Sequence, residues 1–129
     1  SFSYDLSPYL DFGQENVIAV RVDNSQHFNS RWYSGSGIYR HVWMRVTNPV
    51  HVEHWGVAIT TPEVSSKKAT VQVKTWVKNE TSLPQNLAVK TQILGRDSRK
   101  VADNQITVEL PANGEKEVTQ HIKVSNPLL

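Results

Sequence analysis

The sequence contains no cysteine, so disulfide staples and thiolate metal sites are excluded together and stability must come from packing. No apolar run is long enough to cross a membrane as a helix, and a membrane partner is not expected. Clustered positive charge is missing as well. The formal charge is +2, no basic run exceeds two residues, as at Lys67-Lys68, and Arg96 to Lys100 interleaves acid with base, which suits a solvated hairpin tip better than a phosphate track. Nucleic-acid binding needs several phosphate contacts gathered on one face, so it too is not expected. Ser1 is not followed by the charged and apolar regions of a signal peptide, so any address tag would lie upstream.

The motifs of common hydrolytic and cofactor chemistry are also missing. No Gly-x-Ser-x-Gly elbow and no phosphate-cradling glycine loop occurs, and no cofactor is implied. The five histidines include His51 and His54, whose spacing on a strand points them to opposite faces and makes poor ligand geometry, so no metal site is expected. Asp11, Glu15, Glu80, Asp97, Asp103 and Glu115 sit in turn or surface contexts and read as solvated charges. No catalytic residue is assigned in this chain.

What the sequence does have is period-2 alternation of β-branched and aromatic residues, broken by Gly, Pro, Asn and Asp, along nearly its whole length. This pattern predicts an all-β protein. Val17 to Asp23 sets Ile18, Val20 and Val22 on one face, and Asp11-Phe12-Gly13 supplies a turn before it. Ile38 to Val46 reads as a second strand, with Val42, Met44 and Val46 on one side.

After Thr47-Asn48-Pro49 glycine thins out and strand candidates follow at intervals of roughly ten residues, as in a β-sandwich. The candidates are Val52 to Thr60, Ala69 to Asn79, Leu87 to Leu94, Gln105 to Leu110 and Lys116 to Val124, with a short strand near Lys100 to Ala102. Val71, Val73 and Val77 share a face, as do Leu87, Val89 and Ile93, then Ile106, Val108 and Leu110, then Val118, Ile122 and Val124. These rows predict one inter-sheet core. Trp76 falls on the polar face of its strand with Gln72, Lys74 and Lys78, and it could serve a domain contact or a ligand platform; the same choice is open for Trp55. Residues 1–48 and 49–129 are the expected domains, and both chain ends break off in mid-pattern.

Arg31-Trp32-Tyr33-Ser34-Gly35-Ser36-Gly37-Ile38-Tyr39-Arg40 packs three aromatics, two arginines and two glycines into ten residues. Rings stack on sugar faces and arginine donates to hydroxyls, which suits a carbohydrate-facing loop with Arg31, Trp32 and Tyr33 at its edge. Equally, the glycines permit a tight turn and the rings plug a core or a domain contact, the commoner use of buried aromatics.

This motif, preceded by Asp5-Leu-Ser-Pro-Tyr-Leu10 and by Glu15-Asn-Val-Ile-Ala-Val-Arg-Val-Asp-Asn-Ser25 and followed by His41-Val42-Trp43, resembles the end of the sugar-binding jelly-roll domain of family 2 glycoside hydrolases, the β-galactosidase type above all. The resemblance implies that residues 1–48 are the last part of a galactose-binding-like jelly roll and that residues 49–129 are an immunoglobulin-like β-sandwich. It also implies that the catalytic (β/α)8 barrel, with the two glutamates of a retaining glycosidase, lies beyond Leu129 and is the natural partner of this chain. The carbohydrate substrate would then be met through the parent enzyme, for which a periplasmic or secreted location is expected over a cytoplasmic one. In that family an acidic residue often precedes the aromatic pair of the loop, whereas this sequence has Arg31 there. The alternative is an autonomous β-sandwich module that binds a carbohydrate or a protein. With unpaired edges at Val17 to Asp23 and Ile38 to Val46, the first domain is expected to form a homodimer or to lose local order.

Overall fold

The computed structural model describes residues 3–25 and 35–127. The chain divides into two compact units, Ser1–Met44 and Arg45–Leu129.

Among the described residues of the first unit, regular structure is limited to one 3-10 turn, Ser7–Tyr9, with Pro8 at its start, where a missing backbone donor costs nothing. Gly13 at φ +81° makes the expected turn after Asp11. Asn16 locks it, accepting from the Asp11 amide at 2.9 Å and donating to the carbonyls of Asp11 (2.9 Å) and Gln14 (3.0 Å). Val17 to Asp23 and Ile38 to Val46 form no strand, contrary to expectation. The apolar row Ile18, Val20 and Val22 is between 51% and 64% exposed, and Val42, Met44 and Val46 are exposed too. Alternation supplies a face to bury, but a strand also needs a neighbour for its backbone groups, and neither stretch finds a ladder partner among the described residues.

The second unit holds five strands: β1 (Val50–Val64), β2 (Lys68–Asn79), β3 (Gln85–Leu94), β4 (Lys100–Leu110) and β5 (Glu115–Ser125). They make two antiparallel sheets, β1-β2-β5 and β3-β4, stacked as a sandwich. The short strand near Lys100 and the one from Gln105 are a single strand, β4, whose pairing with β3 slips once at Ile93/Leu94. Arg96 to Lys100 does hold the hairpin tip. There the Gly95 amide donates to the Arg99 carbonyl at 2.9 Å, and Asp97 Oδ1 accepts from the Arg99 amide at 3.2 Å.

Val77, Leu110 and Val118 form the centre of the core, with Leu87, Val89, Ile106 and Val108 packed on it. Val73, Ile122 and Val124 are buried as expected, whereas Val71 is half-buried. Three polar side chains share this face: Thr75, Asn79 and Gln120. Gln120 on β5 ties the sheets together. Its Nε2 donates to the carbonyls of Val89 (3.2 Å) and Asn104 (3.1 Å) and to Asn104 Oδ1 (3.1 Å), while Thr91 Oγ1 donates to its Oε1 at 2.6 Å. Asn79 closes one end of the sandwich. It donates to the carbonyls of Leu83 and Pro111, both at 2.9 Å, and accepts from the Thr81 amide (3.0 Å) and hydroxyl (2.7 Å).

Candidate functional site

Arg31, Trp32 and Tyr33 lie outside the described residues, so no geometry is assigned to the edge of the aromatic loop. The loop continues through Gly37, at φ +112°, into exposed rings: the Arg40 guanidinium stands 5.4 Å from the Tyr39 ring centre, and His41 stacks on Trp43 at 5.7 Å.

In the second unit the most unusual backbone is in β1. Between Val52, paired with Val77, and Val57, paired with Thr75, the four residues Glu53 to Gly56 stand opposite Trp76 alone. This bulge turns the strand over. Trp55 sits in it at φ +58°, a conformation that is a genuine outlier for a bulky residue, with its side chain 89% exposed and the His54 ring 5.1 Å away. Gly56 is required next to it, because a Cβ there would lie 2.7 Å from the Glu53 carbonyl oxygen. A glycine inside a valine-rich strand is a sequence signal of a bulge; the positive φ at Trp55 has no such signal. Trp76 is half-buried on the outer face of β2, beside Lys74 and Lys78, as its period-2 position implies.

Glu53 anchors the base of the bulge. Its Oε1 accepts from the His54 amide at 2.8 Å and lies 3.7 Å from Arg45, while its Oε2 is 4.0 Å from Lys78, which also pairs with Glu80 at 2.8 Å. The His54 amide above all holds the Glu53 carboxyl below its ordinary 4.5; burial opposes it, and Lys78, then Arg45 and His51, add to the lowering. The folded value being the lower one, whatever Glu53 contributes to stability is complete above 4.5 and is lost as pH falls through the folded value. A carboxyl-detected NMR titration should therefore give Glu53 a midpoint below 4.5, and Lys78→Met should raise it while leaving it below 4.5, since the amide still donates. A midpoint unmoved by Lys78→Met would remove the lysine from this account.

A general acid needs its carboxyl pushed up, and both Glu53 and Asp23 are pushed the other way, Asp23 chiefly by the Ser25 hydroxyl and amide. Among the described residues no group of three or more acidic, histidine or cysteine side chains could hold a metal. A shallow cleft lined by Pro62, Glu63, Lys68, Thr70, His121 and Lys123 lies on the outer face of the three-stranded sheet; Glu63 there is already engaged by Lys68 at 3.5 Å and Thr70 at 3.3 Å.

The sequence profile of glycosyl hydrolases family 2 matches residues 50–129. The β-galactosidase BoGH2A of Bacteroides ovatus is 44% identical over 129 residues, 100% of this chain and 15% of that protein. A β-glucuronidase of Formosa agariphila is 32% identical, with 99% of this chain and 15% of that protein covered. Among solved structures, a glycosyl hydrolase family 2 member from Bacteroides cellulosilyticus superposes with a TM-score of 0.71 at 36% identity, over 81% of this chain and 14% of that one. A β-glucuronidase of glycoside hydrolase family 2 gives a TM-score of 0.62 at 27% identity, over 64% and 9%. The chain thus spans about 15% of the length of the curated relatives it matches.

Proposed function

The chain belongs to glycosyl hydrolase family 2, and from that premise we propose that it is a non-catalytic portion of a retaining glycosidase that cleaves β-galactosides. The observation that carries this reading is the 44% identity to a β-galactosidase along all 129 residues, at only 15% of that protein's length. The carboxylates supply the second argument. Retaining hydrolysis uses two of them about 5–5.5 Å apart, one protonated to assist the leaving group and one ionised to attack. Glu53 and Asp23 are both held below the ordinary carboxylate range, the opposite of what a general acid needs, which supports placing the chemistry in polypeptide outside this segment.

In this reading residues 1–48 are the end of a jelly-roll sugar-binding domain and residues 49–129 an immunoglobulin-like sandwich. Arg31, Trp32 and Tyr33 form one edge of the sugar site, and the catalytic barrel of the same polypeptide supplies the reacting groups. Galactosides are favoured over glucuronides because the β-galactosidase relative is the more similar, 44% against 32%.

The test has two arms. Residues 1–129 alone are expected to release no nitrophenol from nitrophenyl β-galactoside above a mock preparation, whereas the full-length product of the same gene is expected to cleave it faster than the β-glucuronide. Turnover by residues 1–129, or a full-length product inert on both substrates, would refute the reading.

Trp55 favours a second reading, a β-sandwich module that binds a ligand on its own. An exposed ring held in a costly backbone conformation is a common mark of a binding surface. In that case a panel of galactosides and other sugars would give saturable chemical-shift changes at Trp55 or Trp76 in residues 1–129.

A further inference from the structure

The inward phase of β2 carries Val73, Thr75 and Val77, all buried, so Trp76 faces outward together with Lys74 and Lys78. β2 is the middle strand of its sheet, which sets the ring at the centre of the outer face. On one side Glu117 of β5 pairs directly with Trp76, and on the other stands the Glu53 to Gly56 bulge of β1. A half-buried tryptophan ordinarily packs against another ring or gives its indole N–H to an acceptor. Trp76 does neither. Among the described residues its side chain makes no hydrogen bond and no ring contact.

Four charged groups frame this ring. Lys74 and Glu117 are 3.1 Å apart, and Lys78 and Glu53 are 4.0 Å apart. Each pair sets an ammonium on β2, two residues from Trp76, against a carboxylate on a neighbouring strand. All four side chains are 36–42% exposed, held by their partners yet open to a ligand. Donors and acceptors thus alternate around an apolar platform, and the two positive charges cancel the two negative ones. An acidic or basic ligand would meet a repelling group in each pair. A hydroxyl both donates and accepts, so it suits an ammonium beside a carboxylate, and a pyranose carries hydroxyls at its rim and C–H groups on its face. We infer that Trp76 stacks against a neutral pyranose unit of an oligosaccharide, whose hydroxyls are bound by Lys74 with Glu117 and by Lys78 with Glu53. This rests on the second reading above, the sandwich as a ligand-binding module, and gives that module a site and a class of ligand.

Cellobiose, lactose and a β-linked galactobiose would be titrated into isotope-labelled residues 1–129, with the uronic-acid counterpart of cellobiose as the charged comparison. At least one neutral disaccharide should give saturable shifts at the Trp76 indole N–H and at the Lys74 and Glu117 amides. Trp76→Ala should abolish this binding. Glu117→Gln, which keeps the size and an acceptor, should weaken it about fivefold, the effect of removing the charge from one hydrogen-bonding partner. The inference is overturned if no neutral disaccharide saturates a shift at Trp76, if Glu117→Gln binds as tightly as the unaltered chain, or if the uronic-acid disaccharide binds more tightly than cellobiose. Saturable shifts confined to Trp55 sink this inference and leave the module reading standing. Silence at every residue toward every sugar sinks both.

Discussion

Asn79→Ala is expected to lower the stability of the sandwich by about 3 kcal/mol, because four hydrogen bonds of a fully buried side chain are lost together and the Thr81 amide is left without its acceptor. Asn79 is fully buried, and its Nδ2 donates to two carbonyls, Leu83 and Pro111, that belong to different connections between the sheets. Its Oδ1 accepts both Thr81 groups, and its own amide donates to the Gly114 carbonyl at 2.8 Å. Alanine keeps the backbone bond and loses the other four. A buried unsatisfied group costs about 1–3 kcal/mol, and water entering the small cavity should recover part of that. Thermal unfolding should show a midpoint lower by about 15 °C, given about 4–8 °C per kcal/mol for a domain of this size. Amide exchange should quicken first at Asn113, which donates to the Thr81 carbonyl at 2.9 Å. A change under about 1 kcal/mol would mean that the two connections hold without this side chain.

Leu110→Ala should cost a similar amount by a different route, about 2–5 kcal/mol. Leu110 is fully buried at the end of β4 in the central cluster with Val77 and Val118, contributed by three strands of both sheets. Removing its branched end forfeits the transfer energy of those carbons and leaves a cavity that the paired strands cannot collapse onto. Urea unfolding should show a lower midpoint with an unchanged slope, since the surface exposed on unfolding stays nearly the same. Substitution at exposed Ile59 should change stability by no more than about 0.5 kcal/mol, so the contrast between the two sites tests the assignment of the core itself.

Much of the sandwich was legible in alternation. Leu87 to Leu94 and Lys116 to Val124 carry apolar residues at alternate positions, interrupted at Thr91 and Gln120, and both are strands within a residue or two of where the pattern places them. The turn residues behave likewise: Pro111 to Gly114 carries Asn113 at φ +49° between β4 and β5. The buried polar positions were less visible. Thr75, Asn79 and Gln120 occupy the inward phase of their strands, but residue type argues for exposure, and only the carbonyls that converge on Asn79 and Gln120 make burial favourable. Trp55 was singled out for its type alone, because the positive φ that presents it depends on the four-to-one bulge against Trp76.

Val17 to Asp23 alternates as cleanly as β3 does, and one is exposed chain while the other is half-buried strand. Alternation is a local property, carried by residues two apart, and by itself it determined that this protein is all-β and which phase of β2 to β5 faces inward, whereas the bulge in β1 switches the inward phase between Val52 and Val57. Whether a stretch joins a ladder, and whether its inward phase is then covered, depends on backbone partners distant in sequence. The tertiary structure alone decided that β2 and β5 are roofed by β3 and β4 while β1 keeps its apolar row in the open.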